Sequence, residues 1–253
     1  MTTAAQLLAA LALPAGCAVN RRVPKKMLVE NGAPTAADKR RINEGIEELF
    51  WVATLKPTTI GVPEYRDAVR EYLEIAVLRL SLRARAKAAR LVELLHRAVP
   101  YPVLLATEQG DWADLSAAHK RWAQNEAGKV VLDGEVVAAG LDVEYDGRFL
   151  PDFLAAMALG RQPRGSMHAV YQGWIDTLLA LGAARLIGTF RLAPGREHAA
   201  ARREGLDAHD RLQRDLTVLR AKAQKEKQIN RRVELNLEIK RLEAELAAAA
   251  KIL

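Results

Sequence analysis

The chain has 253 residues, half of them hydrophobic and 27% charged, the balance of a soluble globular protein large enough for one domain plus an appendage. Its formal charge is +7, carried mainly by the first hundred residues, which favours anionic partners such as nucleic acid without specifying one. A lone cysteine, Cys17, excludes an internal disulfide framework and fits a reducing cytoplasm, and no apolar run approaches the roughly 18 residues of a membrane span.

Ala4–Leu13 reads as a short helix stopped at Pro14; the signal-like stretch Leu7–Cys17 lacks a basic start. Lys26–Glu30 reads as a strand leaving the basic run Asn20–Lys26, with Asn31-Gly32 as its turn. Thr35 then suits the cap of a helix that carries Asp38 in its first turn, exposes Lys39, Arg40 and Arg41, and buries Ile42, Ile46 and Leu49. Leu49–Leu55 is the next strand, closed at Lys56-Pro57. Glu71–Arg83 is the strongest strand, apolar on both faces through Ile75–Leu78. Arg85–Val99 is an amphipathic helix stopped by Pro100. Tyr101–Thr107 and Leu115–His119 form a hairpin about Gln109-Gly110-Asp111, and Val130–Val137 a second one about Asp133-Gly134.

From Pro151 the chain turns helical, and Ser166 can cap a helix through Arg185 with Val170, Trp174, Leu178 and Leu181 on one side. Ala193-Pro194-Gly195 is a hinge. The last fifty residues hold no proline and one glycine, and their apolar positions run in two blocks: Leu212, Leu216, Leu219 and Ala223, then Leu235, Ile239, Leu242, Leu246, Ala249 and Leu253. That is the seam of a helix packing lengthwise on another. The heptads slip by two residues across Gln224–Arg232. Both a second chain and the Ser166–Arg185 helix remain open as partner for Leu212, Leu216, Leu219, Leu235, Ile239, Leu242 and Leu246.

The expected architecture is α+β. A ferredoxin-like split βαβ sandwich, an antiparallel sheet with helices on one face, occupies 1–145. A helical connector follows over 146–194, then a long, coiled-coil-like C-terminal helix over 195–253.

Several segments together resemble one known family. They are Arg21-Arg22-Val23-Pro24-Lys25-Lys26, Glu71-Tyr72-Leu73-Glu74-Ile75, His96–Pro102, Ala118-His119-Lys120-Arg121, Lys225–Asn230, Val233–Asn236 and Ile239–Leu242, in that order. The resemblance is to the bacterial domain-of-unknown-function 4391 family and covers nearly the whole chain. It implies no established activity. It implies a context instead, because members are often encoded beside a helicase and a DNA methyltransferase of restriction-like or anti-phage defence loci.

Candidate chemistry is thin. His96 and His119 could exchange protons or bind a metal, yet neither has a metal-ligand companion at a suitable spacing, and a helix-terminal histidine is favoured by the dipole alone. Glu71 and Glu74 invite comparison with a nuclease core, but Ala76 stands where an orienting lysine belongs. The Gly160–Ser166 stretch has the frame of a phosphate loop without its lysine. Cys17 and Ser116 have no recognisable companions in sequence. Three basic clusters remain for phosphates: Arg21, Arg22, Lys25 and Lys26; His119, Lys120 and Arg121 with Trp122 beside them to stack on a base; and Lys222, Lys225, Lys227, Arg231 and Arg232.

The resulting expectation is a cytoplasmic, non-enzymatic accessory or adaptor subunit of a defence complex, needing no cofactor or metal and no membrane. It would touch nucleic acid through its basic patches, and a helicase, a methyltransferase or its own copy through the tail. The alternative is a divergent metal-dependent nuclease or phosphodiesterase using His96, His119 and Glu71 or Glu74.

Overall fold

The structure, a computed structural model, describes residues 3–126, 128–141, 146–250 and 253. It forms two compact units that divide between Leu178 and Leu179, so the segment 146–194 is shared between them. The expected boundary after residue 145 lies outside the described residues.

In chain order the first unit contains α1 (Ala4–Ala10), β1 (Ala18–Arg22), α2 (Lys25–Gly32), α3 (Ala36–Gly45), β2 (Ile46–Leu55) and α4 (Pro57–Ile60). Then come β3 (Tyr65–Arg66), β4 (Glu71–Tyr72), β5 (Ile75–Leu82), α5 (Ala88–Ala98), β6 (Val103–Gln109) and β7 (Trp112–Ala117). β8 (Lys120–Trp122), β9 (Val130–Leu132), β10 (Val137–Leu141), α6 (Leu150–Met157) and the first half of α7 (Met167–Ile187) complete it. The main sheet has the order β1-β2-β5-β6-β7-β10, with β3-β4 and β8-β9 as separate two-stranded ribbons.

Apolar alternation explains the layering. Ala76, Leu78, Leu80 and Leu82 of β5 and Val103 and Leu105 of β6 point to one face, where they pack with Leu28 of α2, Ile42 of α3 and Leu91, Leu94 and Leu95 of α5. Val77, Leu104, Ala106, Leu115 and Ala117 alternate to the other face and are equally buried. There α1 packs on β6 and β7, and the Tyr171 hydroxyl of α7 donates to the Val103 carbonyl at 2.7 Å. The sheet is therefore covered on both sides.

This is the expected α+β class with a different topology. A split βαβ unit needs a strand inserted between its two parallel strands. Here α5 returns the chain directly beside β5, so β5 and β6 are parallel neighbours, and the sheet is mixed rather than antiparallel. Lys26–Glu30 is helical, not a strand. Leu28 turns into the core, and Gly32 lets α2 approach α5 so closely that a Cβ there would stand 2.5 Å from that of Ala98. Glu71–Arg83 breaks at Leu73-Glu74 into β4 and β5. The Asp133-Gly134 turn exists, with Gly134 at φ 91°, but it separates strands of two sheets: β9 pairs with β8, and β10 with β7. The Thr35 and Ser166 caps form as expected, accepting from the Asp38 and Ala169 amides at 3.1 Å.

The second unit holds the end of α7, then α8 (Arg196–Lys225) and α9 (Ile229–Ala250). The tail is a helical hairpin, not one helix. Glu226 is extended and its carboxylate accepts from the Gln228 amide at 2.8 Å, which ends α8 and starts α9 without glycine or proline. The heptad slip marks this turn. Its two blocks face each other: Leu216, Ala223 and Leu242 are buried, and Arg220 pairs with Glu243 at 2.7 Å. Of the seven seam residues expected at a partner interface, Leu216 and Leu242 are buried, and Leu212, Leu219, Leu235, Ile239 and Leu246 are half-buried. Among the described residues no helix is long and apolar enough to cross a membrane.

Candidate functional site

Three of the family-like segments converge at the end of the main sheet. The polar break Leu73-Glu74 enters β5, Tyr101-Pro102 enters β6, and Lys120–Trp122 forms β8. Between them lies a groove of about 490 Å³ whose walls include Lys56, Glu71, Glu74, Tyr101, Arg121 and Trp122. Its volume falls within the roughly 300–1,000 Å³ usual for small-ligand sites.

The wall is clamped by side chains from both ribbons. The Trp122 amide donates to the Val69 carbonyl at 2.9 Å, and the Arg70 guanidinium donates to Asp133 at 2.9 Å through Nε. That carboxylate and burial act oppositely on Arg70, and the carboxylate wins, raising its pKa. Arg121 stands 3.7 Å from the same Asp133, Arg66 pairs with Glu71 at 2.9 Å, and Lys56 lies 3.9 Å from Glu74. The groove is charged but locally balanced, with two half-buried aromatic side chains in its walls, of which Tyr101 also packs against the core and lies 6.3 Å from the Trp51 ring.

Behind it runs a partly buried polar chain. Gln172 donates through Nε2 to Asp176 at 2.8 Å, which turns its Oε1 toward His119 Nε2, also at 2.8 Å. His119 must then carry its proton on Nε2 and accept at Nδ1 from the Tyr72 hydroxyl at 2.5 Å. Burial pushes the Tyr72 phenol well above its ordinary value, so it stays a donor. His168 stacks on His119 with ring centroids 5.1 Å apart, and Tyr65 covers His168 at 4.8 Å. Tyr72 is wholly enclosed and His119 is buried, whereas Gln172, Asp176 and His168 at the other end of the chain are half-buried.

The central basic cluster changes character in consequence. His119 and Lys120 are buried; Lys120 and Arg121 both border the groove, but the Lys120 ammonium is turned to backbone carbonyls, which leaves Arg121 as the more accessible charge. The Lys120 ammonium donates to the carbonyls of His96 and of Val99, the latter at 2.9 Å, and burial lowers its pKa to about 7. His96 lies across α5 from its expected role. Its imidazole is fully buried, bonded through Nε2 to Ser116 Oγ at 3.0 Å, and burial followed by the Lys120 charge lowers it to about 3. A neutral ring gives no dipole compensation, so the helix-terminus explanation fails for this histidine. Ser116 does acquire a spatial histidine companion, but both side chains are sealed.

The other two basic clusters lie elsewhere. Arg21 and Arg22 are exposed on β1, Arg22 being paired with Glu48 at 3.4 Å. Lys26 is exposed on α2, whereas the Lys25 ammonium donates to the Ile46 carbonyl and is half-buried. Arg21 and Arg22 stand opposite Trp51 and Phe50 in the middle of β2, while Lys25 reaches the Ile46 end of that strand, and none of the four lines the groove. Lys222, Lys225, Lys227, Arg231 and Arg232 gather at the tip of the α8–α9 hairpin, with Glu226, Glu234 and Glu238 among them. Among the described residues no three His, Cys, Asp or Glu side chains are grouped to hold a metal ion.

Reasoning on sequence alone missed Tyr101 and Lys56 as groove walls and Tyr72, His168 and Gln172 as supports. Tyr72 lies inside a quoted family-like segment, which is a usable signal. Gln172 has none, because its partner is fifty-three residues away.

Fold and site together define an α+β protein with a helix-flanked mixed sheet, an aromatic, charge-balanced groove at one end of that sheet, and a C-terminal helical hairpin. Residues 11–246 match the model described as Domain of unknown function (DUF4391), and the chain belongs to that family. No curated protein and no solved structure matches it.

Proposed function

We propose that this protein is a non-enzymatic, cytoplasmic accessory subunit of a bacterial restriction-like or anti-phage defence complex. It contacts a single nucleic-acid strand through the groove and protein partners, such as a helicase or a DNA methyltransferase, through the C-terminal hairpin. The observation that carries the nucleic-acid half is the groove itself, whose lining combines the half-buried aromatics Tyr101 and Trp122 with Lys56 and Arg121. Aromatic platforms next to basic side chains suit unpaired bases, whose faces are accessible, and each stacked base contributes on the order of 1–3 kcal/mol. Glu71 and Glu74, which line the same groove, supply carboxylates that could accept from exocyclic amino groups of a base in place of Arg66 and Lys56. The exposed cations Arg21, Arg22 and Lys26, and those at the hairpin tip, add attraction for phosphates that salt weakens.

The nuclease or phosphodiesterase reading requires His96 at the reacting centre. An imidazole sealed against Ser116 and held neutral has no path to a substrate, which favours the binding reading.

Titration of labelled single-stranded and duplex oligonucleotides across a salt series tests the proposal. Single strands are expected to bind at least about tenfold tighter, with affinity falling as salt rises. Absence of binding at low salt, or metal-dependent cleavage abolished by His119→Ala, would overturn it.

A further inference from the structure

Helix α9 carries two apolar faces, and the hairpin uses only one. Leu235, Ile239, Leu242 and Leu246 face α8. Ile229, Val233 and Leu237 repeat every fourth residue roughly 150° away around the helix, followed by exposed Ala244 and Ala248. The three large side chains are 69%, 52% and 63% exposed. A ridge of that size left facing water marks an interaction surface.

We propose that this outer face packs against the same face of a second copy of the chain, α9 antiparallel to α9 about a twofold axis. Charge pattern selects that occupant. Laying Val233 opposite Ala244 and Leu237 opposite Lys240 brings Glu234 within one turn of Arg241 of the partner subunit. The twofold repeats the same pair in reverse. On the opposite flank Arg232 approaches Glu243 of the partner subunit, the carboxylate that Arg220 already holds at 2.7 Å within its own chain. Each flank thus reverses sign under the operation that superposes the two apolar ridges, which is the self-complementarity an isologous interface requires. Lys240 lies within the ridge, where its stem covers Leu237 and its ammonium extends to solvent. Arg241 is now 3.4 Å from Glu245 on the same exposed helix side, a pair that holds it only weakly. Two helices of 22 residues bury a modest area, so the dimer is a weak one, with Kd on the order of micromolar.

This deepens the hairpin half of the proposed function, and its test is separate from the groove's. Sedimentation of the full chain between about 1 and 100 µM is expected to show a monomer–dimer equilibrium. Leu237→Glu should abolish the dimer while leaving helix content unchanged. Glu234→Arg and Arg241→Glu should each raise Kd by about tenfold or more, and the double variant should return to within about threefold of the parent. A parent chain that stays monomeric, a dimer indifferent to Leu237→Glu, or a double variant as weak as the singles would each refute the twofold pairing. Oligonucleotide binding, measured on the same variants, should persist for the monomer, so failure of the groove reading and failure of this one are distinguishable.

Discussion

His96 and Asp114 sit on the same side of the β7 layer and have opposite consequences for stability. Burial holds the His96 imidazole down to about 3, whereas an unfolded histidine titrates near 6.5. Between those values the native state binds fewer protons, so His96 makes stability fall as the pH drops. Burial pushes the Asp114 carboxyl up to about 7, with the facing Thr107 hydroxyl acting the other way, against 3.8 in the unfolded chain. Over that window the native state binds more protons, so Asp114 makes stability rise as the pH drops. Relative to the parent, His96→Asn is therefore expected to gain, and Asp114→Asn to lose, roughly 2–3 kcal/mol as pH goes from 6.5 to 4.5. Urea melts at stepped pH check both; parallel curves for all three proteins would contradict the assignment. Lys120 adds a third slope above them. Its folded value of about 7 lies below the ordinary 10.5, so the unfolded state binds more protons between the two and stability climbs with pH there. Lys120→Met should flatten that climb in the same melts. None of these environments was legible in sequence, because each is set by what an α-helix and a distant strand place around the group.

Helices and strands were more readable than the residues they enclose. The β5 strand, the α5 helix, the β6–β7 hairpin and the Thr35 and Ser166 caps all follow from local pattern, since apolar period and cap chemistry are local properties. Lys25–Gly32 misled because eight residues with apolar positions at 27, 28 and 29 satisfy either period; the contact of Gly32 with Ala98 decides for a helix. The tail was legible in its apolar blocks but not in its break, which depends on one carboxylate capping Gln228. Two leucines of α9 separate the inner and outer faces experimentally. Leu242 is buried in the hairpin seam, so Leu242→Ala should destabilise the C-terminal unit by about 2–3 kcal/mol. Leu237 is exposed, and Leu237→Ala in dilute, monomeric protein should change stability by less than about 0.5 kcal/mol. Equal effects in thermal melts would mean that the seam is not where the buried leucines place it.

At the scale of the molecule, the arrangement concentrates its recognisable chemistry in one place. Segments scattered from Glu71 to Trp122 meet at a single groove, clamped by Arg70 to Asp133 and backed by the Tyr72–His119–Gln172 chain. The basic stretches, in contrast, lie on different elements: one runs along the edge strand β1 and the start of α2, one is largely buried, and one tips the hairpin of the second unit. Sequence showed that these cations exist; which of them meet solvent was set by the sheet. Recognition on this account comes from stacking inside the groove, with the dispersed cations adding a salt-sensitive background. The most direct test is the affinity of Trp122→Ala for a single-stranded oligonucleotide, measured by anisotropy at low and moderate salt beside the parent. The account predicts a loss of about 1–3 kcal/mol, or roughly tenfold to a hundredfold, at both salt concentrations with the salt slope unchanged. Binding that ignores Trp122 and depends only on salt would contradict it.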